Sequence, residues 1–164
     1  MPSITALLHT KNDALRLGRA LETLYPCDEI LVIDHDSQDG TAQVAREYGA
    51  RVVTAEPGAA LDYYLQSATT GWILCLDPRE SLTESLAASL FEWKTDWQSE
   101  PAESDQAAAF SVFLREERAE GWVEVPTAQT RLVPLKWNRW HDSLPITDQC
   151  AVALKGELLR FVFP

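Results

Sequence analysis

The sequence predicts an α/β protein, with a Rossmann-like parallel sheet in its N-terminal half and a strand-rich C-terminal part. Three observations lead there. Short apolar runs alternate with amphipathic stretches through residue 97, the pattern of βαβ units. A polar cluster follows the first, second and fourth of those runs. Beyond residue 107 the texture changes to alternating strands.

The elements follow in order. Residues 4–8 read as a strand, and Asn12 or Asp13 then caps a helix in which Ala14, Leu17, Leu21 and Leu24 recur at spacings of three and four. Residues 29–33 (EILVI) form a second strand that enters the polar turn DHDSQDG. Asp39 caps the next helix, through Val44 and Tyr48, with Gly49 at its C-terminus. Residues 51–54 make a short third strand. Leu61, Tyr64, Leu65 and Ala68 give a helical face that Gly71 breaks, and residues 72–76 form a fourth strand ending at Asp77. Ser81 and Glu84 have capping-box spacing for a helix carrying Leu86, Leu90, Trp93 and Trp97. Residues 98–106, polar and containing Pro101, read as an exposed loop. Phe110, Val112 and Leu114 alternate, as do parts of residues 122–125. The final CAVAL-KGE-LLRFVF reads as a hairpin turning at residues 155–157.

At 164 residues the chain has the size of one domain, divided here into an α/β half (1–97) and a mixed-strand half (107–164). Apolar residues make up 46% and charged residues 24%, enough apolar matter for a core without staples. The net charge of -11 repels phosphate backbones and anionic membranes, which argues against nucleic acid or lipid as the main partner. Cys27, Cys75 and Cys150 are odd in number and widely spaced, so neither a disulfide framework nor a zinc site is indicated, and Cys75 reads as core. There is no secretory h-region, and no window of about 18 apolar residues to cross a bilayer. The expectation is a soluble, cytoplasmic protein.

Ligands of open parallel sheets bind at the carboxyl ends of strands. That singles out the clusters at residues 9–13, 34–37 and 77–80, whose structural alternative is turn formation and helix capping. The same clusters carry a resemblance. LLHTKND, ILVIDHDSQDGT and WILCLDPRE stand in the order of the Pro-Thr-x-Asn-Glu, V-D-x-G-S-x-D-G-T and L-D-A-D-E segments of family 2 glycosyltransferases, and GWVEVPTAQTRLV resembles the family's stretch ending in Gln-x-Arg-Leu-Phe. The likeness runs from about Ile4 to Trp140. It implies a GT-A fold, a nucleotide-diphosphate sugar donor, a sugar or lipid-linked acceptor, and inverting transfer. A homo-oligomer is compatible with it.

By the same resemblance, Asp34 matches the carboxylate that bonds the base or ribose, and Thr10, Asn12 and Asp13 the first-strand turn. Asp36 joins them as a candidate contact, Gln129 and Arg131 are acceptor-side candidates, and Asp77 is the first Asp of the D-x-D motif. That motif implies a divalent cation, Mg²⁺ or Mn²⁺, but its second Asp is Arg79 here, and arginine has no acceptor with which to ligate a metal. Either Glu80 supplies the ligand beside Asp77, or Arg79 neutralises the diphosphate itself, or the site is degraded. The lipopolysaccharide-core branch carries W-x-G-x-V-H-E, where this chain has WHDSLPI. His141 and Asp142 then stand as substitute catalytic groups, because Pro145 and Ile146 cannot titrate. Trp137 and Trp140 either pack in the core or stack on a sugar. The alternative function is a degenerate GT-A-like module that binds nucleotide or protein without catalysis. A nucleotidyltransferase is disfavoured, since the turn after the first strand has no glycine until Gly18.

Overall fold

The computed structural model describes residues 2–96 and 109–163; Trp97 and the expected loop at 98–106 lie outside these. Strands β1 (Ile4–Thr10), β2 (Glu29–Asp34), β3 (Arg51–Thr54) and β4 (Trp72–Leu76) are all parallel, in the order β3-β2-β1-β4. Their apolar runs are continuous because both faces are covered. On one face Ile4, Ala6, Leu8, Val32, Leu74 and Leu76 pack with Leu17, Ala20, Leu21 and Leu24. On the other, Leu7, Leu31, Ile33, Ile73 and Cys75 pack with Tyr64, Val133 and Trp137. Each fully buried Leu or Ile contributes about 1.5–3 kcal/mol, so neither face can be left open.

The connecting helices are α1 (Ala14–Leu21), α2 (Thr41–Glu47), a short α3 (Leu61–Leu65) and α4 (Glu84–Asp96). Gly49 follows α2 at φ 82°, and its N–H bonds the Arg46 carbonyl, as expected of a terminating glycine. The expected helix over residues 61–68 stops at Leu65. The capping box at Ser81 is displaced: residues 80–82 form strand β5 (Glu80–Leu82), and Thr83 caps α4 by accepting the Leu86 N–H at 3.2 Å. Ser81 instead donates to the Arg19 carbonyl. Trp93 is buried in edge-to-face contact with Trp72 and Phe110.

The C-terminal strands continue the same sheet rather than forming an appendage. They are β6 (Phe110–Arg118), β7 (Gly121–Glu124), β8 (Gln129–Pro134) and β11 (Val152–Arg160), and the order runs on from β4 as β8-β6-β11-β5, with β7 beside β6. β8 is antiparallel to β4 and β6, and β11 is parallel to β6. A small hairpin, β9 (Trp140–His141) and β10 (Leu144–Pro145), stands apart. The expected hairpin at 155–157 is absent. β11 runs straight through, with a register irregularity between Ala153 and Glu157 and Gly156 at φ 89°. A Cβ there would lie 2.3 Å from the Leu86 backbone nitrogen. The glycine that reads as a turn marks a bulge where α4 crosses the strand. No helix among the described residues is long and apolar enough to cross a membrane.

Candidate functional site

Parallel register brings Thr10 opposite Asp34, and Leu8 opposite Leu76, so Thr10, Asp34 and Asp77 reach one sheet edge from three adjacent strands, β2-β1-β4. The turns after β1 and β2 are laced together. Asn12 accepts the Gln38 N–H at 2.7 Å, Ser37 Oγ accepts the Asn12 N–H at 2.9 Å, and Thr41 Oγ1 accepts the Asp13 N–H at 2.9 Å. Lys11 Nζ donates to the Asp36 carbonyl at 2.8 Å. Asp39 does not sit at the cap position of α2, which Gly40 takes. Its carboxylate accepts the Thr41 N–H and, through the other oxygen, the Ala14 N–H, serving the first turns of both helices. Asp13 precedes α1, but its side chain bonds the Lys11 N–H instead of capping. Asn12 and Asp36 both take left-handed backbone, φ 54° and 55°; Asp36 stands where the resembled motif has glycine.

Asp34 is 8% exposed and accepts from Thr10 Oγ1 at 2.7 Å, Ser37 Oγ at 2.6 Å and Ser37 N at 3.1 Å. Burial alone would raise its carboxyl, but these donors hold it below the ordinary range. Asp13 goes the other way: burial raises it, with Asp77 and Asp39 adding to the rise. At Asp77 the carboxylate is gripped by Arg79, whose Nε donates to Oδ1 at 2.9 Å and Nη2 to Oδ2 at 3.2 Å, with the Arg79 N–H at 2.9 Å. The Nη1 edge of Arg79 remains free of this clamp.

Three expected site residues are drawn inward. Glu80 is wholly buried, and Arg131 is 1% exposed. Arg131 Nη1 and Nη2 meet the two Glu80 oxygens at 2.6 and 2.9 Å, while Arg160 adds contacts to Oε2 at 3.0 and 3.2 Å. Arg131 also donates to the Cys75 carbonyl and to Gln129 Oε1. Glu80 is thus saturated and enclosed, which corrects its assignment as a metal ligand. Arg131 lies out of a ligand's reach, and Gln129 braces it. With Asp77 clamped by Arg79 and Glu80 held by two arginines, the Asp77–Glu80 pair does not fit the implied Mg²⁺ or Mn²⁺, and among the described residues no group of three or more His, Cys, Asp or Glu stands ready to cage an ion by itself.

Beside this edge, over β1, β2 and β3, opens a cleft of about 430 Å³ lined by His9, His35, Asp36, residues 55–59, Leu61, Tyr64 and Asp142. Asp142, far away in sequence, arrives on the tip of the β9–β10 hairpin with φ 51°. His141 and Asp142 are 84% and 90% exposed in their side chains and stand 3.7 Å apart, with nothing to orient them as an acid–base couple. Trp137 is core, its indole N–H bonding the Arg139 carbonyl, and Trp140 bonds the Trp137 carbonyl. Sequence reasoning included His9 and His35 in its strand-end clusters without giving either a role, read Tyr64 only as part of a helical face, and passed over Glu56. The available signal was two histidines at matching ends of neighbouring strands, followed by the Glu56-Pro57-Gly58 turn after the third.

The profile of the family "Glycosyl transferase family 2" matches residues 5–87. A Rickettsia felis protein named "Uncharacterized glycosyltransferase" is 34% identical over 93 residues, covering 52% of this chain and 32% of that one. The chain therefore spans about a third of the length of the curated relatives it matches. Among solved structures, S. aureus TarS 1-349 in complex with UDP superposes with a TM-score of 0.54 at 19% identity, over 76% of this chain and 38% of that one. Glucosyl-3-phosphoglycerate synthase from Mycobacterium tuberculosis, solved with Mn²⁺, UDP and glucosyl-3-phosphoglycerate, gives 0.50 at 20% identity, over 70% and 44%. The shared fold is of the GT-A type.

Proposed function

The chain belongs to glycosyl transferase family 2, and from that premise we propose that it binds a nucleotide-diphosphate sugar at the β2-β1-β4 edge and takes part in inverting transfer to an acceptor hydroxyl. The observation that carries this reading is the arrival of Thr10, Asp34 and Asp77 on one edge, each from a different motif. The nucleoside lies toward the cleft over β1–β3, and the diphosphate toward Asp77 and Arg79. Residues 1–97 serve the donor, and residues 107–164 the acceptor side, with a sugar or lipid-linked acceptor. A place near the lipopolysaccharide-core branch, and in the cytoplasm, is part of the same reading, although segment 140–146 keeps Trp140 and departs from that branch's His-Glu at Pro145 and Ile146.

Transfer needs positive charge at the leaving diphosphate and a base at the acceptor. Arg79 is the group suited to the first need: a fixed guanidinium, restrained by Asp77, offers its free edge to phosphate oxygens as a bidentate donor. Asp142, with His141 beside it, is the candidate for the second. Their exposure favours a second reading, in which the domain binds a donor without turning it over.

Calorimetry against UDP-, GDP- and dTDP-sugars, with Mn²⁺ and with EDTA, tests the proposal. The expected result is binding that survives EDTA and is strongly weakened by Arg79→Ala. Binding that vanishes in EDTA and returns with Mn²⁺ would overturn the role of Arg79. No binding in either condition would sink the nucleotide reading. Product formation from a bound donor separates transfer from binding alone.

A further inference from the structure

The pairing of β11 with β5 overruns both strands by one rung. Arg160 stands opposite Glu80, and beyond it the Phe161 N–H donates to the Arg79 carbonyl at 2.9 Å. That bond has a particular place in the turn at 77–80. Asp77 is anchored by the end of β4 and by Glu80, whose Oε1 accepts the Asp77 N–H at 2.8 Å, and Glu80 by Arg131 and Arg160. Arg79 lies between them, and its own N–H, Nε and Nη2 all go to Asp77. Among the described residues, the bond from Phe161 is the one hydrogen bond that ties Arg79 to a distant part of the chain.

Phe161 is itself seated by residues from both halves of the chain. The Arg19 guanidinium of α1 lies 3.8 Å over the centre of its ring. Trp122 of β7 meets the ring edge to face, with centroids 5.1 Å apart and planes at 89°. Two residues on, the Phe163 N–H donates at 3.0 Å to Glu117, the β6 residue opposite Trp122. Both ring contacts are favourable in these geometries. The ring belongs to neither hydrophobic core cluster and is only half-buried, so it is not there to fill the interior. What the seat fixes is the direction of the Phe161 N–H, and with it the position of the Arg79 backbone. A guanidinium that must meet two phosphate oxygens at once is sensitive to that position, because a displacement of about 1 Å spoils a bidentate contact.

We infer that Phe161 is a positioning residue for Arg79: seated by Arg19 and Trp122, it holds the turn at 77–80 so that the guanidinium faces the diphosphate of the donor. This rests on the nucleotide reading proposed above, and the test separates the two. Amide hydrogen exchange of the free chain is the first arm. The Phe161 amide should be protected, and Phe161→Ala, which keeps the N–H but loses the seat, should release it. An unprotected Phe161 amide in the intact chain overturns the inference without touching the nucleotide reading. The second arm is titration with UDP and with uridine, which lacks the diphosphate, followed by NMR. Phe161→Ala should weaken UDP about tenfold and leave uridine unchanged. Phe161→Tyr keeps the ring and should restore UDP binding, whereas Phe161→Leu keeps only the bulk and should not. A purely structural role predicts that both ligands weaken together. Arg19→Met, which leaves the ring in place and removes its cation, should give a smaller loss of the same selective kind; an equal loss of uridine speaks against the inference. In an Arg79→Ala background, Phe161→Ala should cost UDP nothing more, and a further tenfold loss there overturns the link between the two residues. If UDP binds and Phe161→Ala changes nothing, the inference fails alone; if no nucleotide binds the intact chain, both fail.

Discussion

Replacing Glu80 with glutamine keeps the shape of a wholly buried side chain and removes its charge. Two guanidiniums, Arg131 at 2.6 and 2.9 Å and Arg160 at 3.0 and 3.2 Å, then face a neutral amide, one of them 1% exposed. Breaking a buried pair on one side costs about 3–5 kcal/mol, because the surviving charge stays out of water. Domains of this kind are stable by only about 5–15 kcal/mol, so the urea midpoint should fall by a large fraction. The wild-type contribution is also pH-dependent. Burial pushes the Glu80 carboxyl up, but Arg131 and its hydrogen bonds more than reverse this and leave it below the ordinary value. A depressed carboxyl stabilises fully above its unfolded value of about 4.3, and that stabilisation is lost as pH falls through the folded value. Glu80→Gln should therefore flatten the acid limb of the stability curve. The assay is urea unfolding followed by tryptophan fluorescence across the acid range. A loss below about 1 kcal/mol, typical of exposed pairs, would refute the argument, particularly if Mn²⁺-dependent nucleotide binding disappeared at the same time.

Three further outcomes are expected. Gly156→Ala forces a Cβ to 2.3 Å from the Leu86 nitrogen at φ 89°, and should cost about 2–4 kcal/mol in chemical denaturation; an unchanged midpoint would mean the bulge is not held against α4. Thr83→Ala removes the cap of α4 and should cost about 1 kcal/mol, whereas Ser81→Ala, which touches no cap, should cost less in the same assay. Asp34→Ala should weaken nucleotide binding by about 1–3 kcal/mol by calorimetry, and equal affinity would remove Asp34 from the site.

The parallel strands were legible because burial on both faces leaves an unbroken apolar run, as in ILVI and WILCL, and the polar residue ending each run marks the edge. What misled was chemistry shared between alternatives. Lys155-Gly156-Glu157 satisfies a turn and a bulge equally, and only the passage of Leu86 overhead decides between them. Ser81 and Thr83 are both good caps, and the demand of β11 for a pairing partner, β5, moved the helix start. At the site, residue type could not reveal direction. Glu80, Gln129 and Arg131 are polar residues near a ligand-binding edge that turn inward to satisfy each other. His9 and His35 have meaning only as neighbours across two strands.

The lacing of the first two turns bears on how such motifs should be read across relatives. Asn12, Asp13, Ser37, Asp39 and Thr41 complete one another's hydrogen bonds, so a change in one turn leaves an unmet donor or acceptor in the other. Their mutational effects should be strongly non-additive, and tolerated substitutions should arrive in pairs. A lineage that abandoned turnover would still be under pressure to keep Ser-x-Asp-Gly-Thr, merely to hold the sheet edge shut. Persistence of that string therefore testifies to an intact fold. On the function proposed above, the retention of catalysis has to be judged at Asp77, Arg79 and the hairpin tip, where nothing in the lacing protects the residues from drift.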